Sequence, residues 1–268
     1  MTRFEFIRSG AEHLAASIDL PTGADDRSVP TVIVVHGLTG SRLGVSYHLV
    51  EFARRLAAVG IGCIRFDQSG CGESTGEFTR LTIRRIVDDT RAVRDWAGKQ
   101  SWCDATRFGY VGMSVGALGV IAVESEQPAR AVALWAPVYD MVRVFRQTTK
   151  TGLRAFLEHK GWVPYRGLRI GKAFVDQLDA VDTSARLAES TSPLLLLHAK
   201  GDDVVSFDES GSYVRRCDEI GRPCELIRFN GADHDFIEYD DRTRLLASTC
   251  GFFAERLKCE GGPSAESR

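Results

Sequence analysis

Thr106-Arg-Phe-Gly-Tyr-Val-Gly-Met-Ser-Val-Gly-Ala-Leu-Gly-Val-Ile-Ala-Val-Glu-Ser125 joins two kinds of apolar run. The run ending at Val111 has the length of a buried strand, whereas Val115 to Val123 spaces its apolar residues as a helix does. Between them lies Gly112-x-Ser114-x-Gly116. In a strand, turn and helix this pattern makes a nucleophile elbow. The turn is so tight that positions two before and two after the serine need minimal side chains, and the hydroxyl projects alone above the sheet edge. Ser114 is therefore the candidate nucleophile. The pattern recurs at Gly72-Glu73-Ser74-Thr75-Gly76, but no helix opens directly from Ser74, which reads as a loop residue.

Outward from the elbow, strand and helix alternate. Toward the N-terminus, Phe4 to Arg8 and Leu14 to Leu20 read as an antiparallel hairpin around Ser9-Gly10, and Thr31 to Val35 is a β-branched run of the kind buried on both faces. Val45 to Val59 is helical by period with Gly60 as its stop, Ile61 to Phe66 is a strand, and Thr82 to Trp96 is an amphipathic helix. Beyond the elbow, strands are expected at Ala131 to Ala136, Leu194 to His198 and Glu225 to Phe229, with helices from about Phe207 to Ile220 and Asp240 to Leu257. The alternation calls for an α/β fold: a mostly parallel, eight-stranded sheet with helices on both faces. From Tyr139 to about Val181 it breaks into helical and loop material with no convincing strand, the natural place for an inserted helical cap. The expected division is a core of 1–138 and 182–258, a cap of 139–181 and a frayed tail of 259–268.

Acyl transfer by a serine needs a base for its proton, a carboxylate to orient that base, and donors for the developing oxyanion. The strand Leu194 to His198 runs into Ala199-Lys-Gly-Asp202-Asp203, which puts a carboxylate just past a strand's C-terminal end, where open α/β sheets keep ligand sites. Asp202 is the expected orienting acid, with Asp203 and then Asp67 as alternatives. The strand ending at Phe229 leads into Asn230-Gly-Ala-Asp-His234, so His234 is the expected general base. Of the other histidines, His198 lies inside a strand and His13, His48 and His159 read as surface or local contacts. His36-Gly37-Leu38-Thr39-Gly40 follows the buried strand at 31–35, so the main-chain N–H groups of Leu38 and Val115 are candidates for an oxyanion hole; a plain glycine-rich turn is the other reading.

These motifs resemble the α/β-hydrolase superfamily over roughly residues 14–257. The resemblance rests on His36 to Gly40, Arg65-Phe66-Asp67-Gln-Ser-Gly70-Cys-Gly72-Glu-Ser74, the elbow, His198-x-x-x-Asp202-x-x-Val205 and Gly231-Ala-Asp-His234, in that order. Within the superfamily the chain looks most like bacterial cinnamoyl and feruloyl esterases and serine-aminopeptidase-type hydrolases. That likeness implies a carboxylic-ester hydrolase acting on a small-molecule ester, needing no metal or organic cofactor, with Asp67 in a structural loop. It departs from such esterases at Val115, where Gln or Met is common, and this neighbour of the nucleophile lines the acyl pocket. Thioesterase, peptidase and C–C hydrolase chemistry use the same triad, and a ligand-sensing homologue is the rival outside catalysis.

Composition bounds the setting. A chain of 268 residues with 44% hydrophobic and 26% charged residues can bury one sizeable core. A net charge of -2 exerts no pull toward nucleic acid or an anionic membrane, and no 18-residue apolar run is present. Seven cysteines without a C-x-x-C pair fit reduced thiols; the expectation is a cytoplasmic protein that binds neither nucleic acid nor membrane, with a homodimer as one option for its assembly. Eight basic residues between Asp140 and Lys172 face two acidic ones, which could steer an anionic substrate or simply be a solvated face. Phe145, Phe156, Trp162, Tyr165 and Phe174 among them could floor a pocket or pack on one another.

Overall fold

Two N-terminal strands, β1 (Thr2–Ser9) and β2 (Glu12–Asp19), form the expected hairpin, and the fully buried strand β3 (Val29–Val35) follows in a computed structural model that describes residues 1–24, 27–148 and 153–257. The side chains of β3 alternate between two separate cores. Ile33 and Val35 join one, and Val32 and Val34 join the other, which is why this strand carries no polar face.

The expected helix at 45–59 is shorter. Positive φ at Ser46 and Tyr47 confines residues 45–47 to a 3-10 turn, and α1 runs His48–Ala58. Next come β4 (Gly62–Phe66), then α2 (Ile83–Ala97), whose start is capped by Thr82 Oγ1 accepting the Arg85 N–H at 3.1 Å. The elbow strand β5 (Cys103–Met113) leads to α3 (Gly116–Glu126) and β6 (Ala131–Trp135). After the 139–181 insertion and α7 (Thr183–Ala188) come β9 (Leu194–Ala199), α8 (Asp208–Ile220), β10 (Cys224–Phe229) and α9 (Tyr239–Arg256). The insertion itself holds α4 (Met141–Thr148), α5 (Leu153–Lys160), β7 (Trp162–Tyr165), β8 (Leu168–Gly171) and α6 (Lys172–Val175).

The main sheet has eight strands in the order β1-β2-β4-β3-β5-β6-β9-β10. From β4 to β10 neighbours pair in parallel, and β2 runs against both of its neighbours. Apolar residues of α1 and α9 (Leu49, Phe52, Leu246, Phe253) fill the core on one face; Ile83, Ile86, Leu118, Ile121, Leu187 and Tyr213, from α2, α3, α7 and α8, fill the other. The chain leaves β3 for one face and β5 for the opposite face. Their C-terminal ends therefore open a crevice at the point where strand order reverses, the position at which such sheets bind ligands.

The insertion corrects one expectation: it contains an antiparallel hairpin, β7 paired with β8, and is not purely helical. Arg166 and Gly167 turn it with φ of 46° and 81°, a two-residue turn whose twist matches the strands. Pro164 hid the strand from a pattern reading, because proline is tolerated only where no ladder N–H is needed. The insertion is tied down by buried Glu209 of α8, which accepts the N–H groups of Tyr139 and Asp140 at 2.8 Å each and Arg143 Nε at 2.5 Å. Among the described residues no helix is long and apolar enough to cross a membrane. The tail expected at 259–268 lies outside them.

Candidate active site

Ser114 sits where β5 turns into α3, with φ of 54°, a left-handed conformation that costs a non-glycine residue on the order of 1–3 kcal/mol. The surroundings enforce it. The Ser114 N–H donates to Trp135 O at 2.9 Å, and its carbonyl accepts from Ala117 and Val138 at 3.1 and 3.2 Å. A Cβ on Gly116 would lie 2.4 Å from Val35 O, and one on Gly112 would lie 2.7 Å from Ala117 Cα, so both glycines are demanded by close approach of backbone. We predict that Gly116→Ala forces β3 and α3 apart, with a loss of about 1–3 kcal/mol or more and lower activity. Thermal unfolding checks this; an unchanged Tm would refute it. Ser74, the other candidate by pattern, is committed elsewhere: its Oγ donates to Asp67 O at 2.6 Å and accepts from Ala15 N at 2.9 Å.

The loop after β3 is stapled to the end of β4. Gln68 donates its N–H to His36 Nε2 at 3.1 Å and its amide to His36 O at 2.7 Å, so His36 Nδ1 carries the ring proton and donates to Gly37 O at 2.8 Å. Burial pushes this imidazole below its usual range, against the opposing effects of the Gly37 carbonyl and the Asp67 charge. Leu38 and Val115 line the same cavity as Ser114, and neither of their N–H groups donates to an acceptor among the described residues.

Asp202 and His234 meet because β9 and β10 are parallel neighbours, with His198 paired opposite Arg228. His234 Nδ1 donates to Asp202 Oδ2 at 2.7 Å. Asp202 Oδ1 accepts the N–H groups of Val204 and Val205 at 2.9 and 2.8 Å, and its side chain is fully buried. Burial alone would raise this carboxyl, but hydrogen bonds from His198, His234 and Val205 and the His234 charge outweigh it and hold the group well below the usual carboxylate range. Asp203 points to solvent. Asp67 is engaged by Arg42, through its N–H at 2.6 Å and its guanidinium, and by the Glu73 N–H at 3.0 Å.

Ser114 and His234 line one small cavity of about 90 Å³ together with Arg166, Asp235 and His48. No hydrogen bond joins Ser114 Oγ to His234 in this structure, although both line that cavity. On its other side Ser114 borders a larger cavity of about 350 Å³, walled by Leu38, Val138, Met141, Phe145, Tyr165 and Ile170 among others and by no charged side chain among the described residues.

The basic character of the insertion is mostly spent elsewhere. Arg143 is held by Glu209, Lys172 by Asp176, and Arg169 lies over Trp162 at 4.7 Å. Arg166 alone of the described group borders a cavity at Ser114, 3.8 Å from Asp235. Lys150 and the side chain of Arg154 lie outside the described residues. Of the five aromatics, Phe145 and Tyr165 line the apolar cavity, Phe156 and Trp162 pack edge to face at 5.5 Å, and Phe174 is in the core.

A second imidazole reaches Asp202 from a position that the sequence places simply inside a strand. His198 is fully buried and its Nε2 lies 3.2 Å from the same Asp202 oxygen that His234 bonds. The four-residue spacing from His198 to Asp202 was the only signal available in the sequence.

Comparisons with known proteins bear on the family and the fold. The profile of the Prolyl oligopeptidase family matches residues 56–260. Esterase YjfP of Escherichia coli is 26% identical, over 75% of this chain and 80% of its own length. An uncharacterised Mycobacterium tuberculosis protein is 26% identical over 85% of this chain and 71% of its own. Among solved structures, Est1E from Butyrivibrio proteoclasticus, with ferulic acid bound, superposes with a TM-score of 0.82 at 21% identity, covering 94% of this chain and 98% of that one. A likeness at this identity speaks for the fold, which is that of the α/β hydrolases.

Proposed function

The chain belongs to the prolyl oligopeptidase family, and on that premise we propose that it is a serine hydrolase that cleaves carboxylic esters with apolar or aromatic acyl groups through an acyl-enzyme. The observation that carries the proposal is the 2.7 Å bond from His234 Nδ1 to Asp202, with the imidazole and Ser114 on one cavity wall. In this reading His234 Nε2 takes the Ser114 proton as Oγ attacks the carbonyl carbon. Asp202 holds the tautomer that leaves Nε2 free and stabilises the imidazolium. The N–H groups of Leu38 and Val115 receive the oxyanion, the latter at the start of α3 where the helix dipole is positive. His234 then returns the proton to the leaving oxygen, and a water activated by the same imidazole releases the acid.

The two cavities divide the substrate. The larger one, lined by Val115, Met141, Phe145 and Ile170, suits an apolar acyl chain or a phenylpropenoyl group; the smaller, with Arg166 and Asp235, suits the leaving alcohol. Each methylene buried is worth about 0.8 kcal/mol, so kcat/KM for p-nitrophenyl esters is predicted to rise about fourfold per added carbon until the cavity is full. A flat series from acetate upward would contradict the assignment of the acyl side. Methyl ferulate run beside this series tests the aromatic acyl class. The Ser114→Ala protein is the control for the whole reading. Peptide hydrolysis is the second reading, favoured by the family match; an aminoacyl p-nitroanilide turned over faster than the matching ester would prefer it.

A further inference from the structure

Asp202 Oδ2 is shared by two imidazoles. His234 Nδ1 approaches it from the loop after β10 at 2.7 Å, and His198 Nε2 from the end of β9 at 3.2 Å. His198 Nε2 also lies 3.0 Å from Val205 O. Both of these partners are acceptors only, so Nε2 must carry a proton and donate, divided between the carboxylate and the carbonyl. The far side of the ring is fixed as well: Nδ1 lies 2.8 Å from Ser210 Oγ on α8, which donates to it in the neutral ring. With side chains of His198 and Asp202 both fully buried, no water competes for these bonds.

We propose that His198 is a positioning residue for the hydrolytic reaction, holding Asp202 Oδ2 on the line of the His234 Nδ1–H bond and balancing part of the carboxylate charge that His234 would otherwise receive alone. The inference rests on the proposed roles of Ser114, Asp202 and His234. Asp202 leaves β9 on a loop with Gly201 beside it, and the N–H groups of Val204 and Val205 hold only Oδ1. Without His198, Oδ2 is held by His234 alone, so the carboxylate can shift with the imidazole and the base it orients becomes less well aimed. The other charged groups near this cluster are solvent-facing: Lys200 and Asp203 on the same loop and Asp208 at the start of α8. Asp235 stands next to His234 and is paired with Arg166, and Glu209 beside Ser210 is occupied by Arg143.

The test compares His198→Leu, which removes the donor, with His198→Gln, whose amide nitrogen can reach where Nε2 was. Steady-state kinetics on a p-nitrophenyl ester across pH are read together with the far-downfield proton resonance of His234 Nδ1–H. For His198→Leu we expect kcat to fall about 10- to 100-fold with KM within twofold, and the acid limb of kcat/KM to move to higher pH because His234 faces more of the carboxylate charge. The downfield resonance should shift. His198→Gln should recover most of the lost kcat and return the acid limb. Wild-type kcat, pH profile and resonance in a folded His198→Leu protein would overturn the proposal. If that variant does not fold, Ser210→Ala decides: a smaller loss of kcat with the acid limb moving in the same direction supports it, and an unchanged profile overturns it. Ser114→Ala separates the two levels, since retained turnover there defeats the serine mechanism itself, whereas an inactive Ser114→Ala beside unaffected His198 variants defeats only the role of His198.

Discussion

Ser114→Ala is expected to lower kcat for any ester substrate by about 10⁵- to 10⁶-fold, the scale seen when the nucleophile of a serine hydrolase is removed, while leaving Tm within about 2 °C of the parent, a difference worth less than about 1 kcal/mol at this size. The two halves of the expectation come from different atoms. In the proposed mechanism the hydroxyl carries the chemistry, and it makes no hydrogen bond among the described residues that the fold depends on. The strained backbone, with φ of 54°, is held by main-chain bonds to Trp135, Ala117 and Val138 that alanine keeps. Steady-state rates and a thermal melt on the same preparation check both. A variant retaining even a hundredth of the parent rate would remove Ser114 from the mechanism, and a large loss of Tm would mean that the hydroxyl has a structural role.

Asp202→Asn is expected to be nearly as damaging, by about 10⁴-fold in kcat, and unlike the serine variant it should also destabilise. Every group around this carboxylate donates. Val204 and Val205 N–H point at Oδ1, while His234 Nδ1–H and His198 Nε2–H point at Oδ2. An asparagine NH₂ placed on either side meets donors, so one pair of bonds is lost or His234 flips to the tautomer that cannot accept the serine proton. Leaving buried donors unmatched costs about 1–3 kcal/mol, or several degrees in Tm. The pH dependence follows from the same contacts. The folded carboxyl titrates below its unfolded value of about 3.9, so its contribution to stability is complete above that pH and is lost as pH falls through the folded value. An acid limb of kcat/KM that tracked Asp202 at neutral pH would contradict the geometry. An Asp202→Asn protein with parental Tm and substantial kcat would show that a different acid serves His234.

The elbow was legible because its constraint is local. Glycines at 112 and 116 are required by backbone atoms only a few residues away or on the adjacent strand, and the switch from strand period to helix period marks the turn. The loops carrying Asp202 and His234 were legible for a similar reason: the first directly follows the buried run of β9, and the second follows the shorter, half-exposed strand β10 through a glycine-containing turn. The β7–β8 hairpin was not, since four-residue strands interrupted by Pro164 show no usable period and Arg166 is an unusual residue for a positive φ. His198 was hidden by its own position. A histidine inside a run of leucines reads as a buried strand residue, and its burial says nothing about which acceptor its ring finds.

The sequence by itself determined the order of strands and helices outside the 139–181 insertion, the division of β3 and its neighbours into buried runs, and the residue types available at three strand ends. Those features follow from the polarity of a residue's near neighbours along the chain. Tertiary structure alone decided that β9 and β10 lie side by side, so that Asp202 reaches His234. It also turned Asp203 outward, seated Asp67 on Arg42, and put an uncharged wall on the larger cavity beside Ser114 despite the basic insertion. Each of these outcomes is a contact between segments distant in the chain, fixed by sheet order and by competition among donors for a few buried acceptors, and no periodicity along the sequence records that competition.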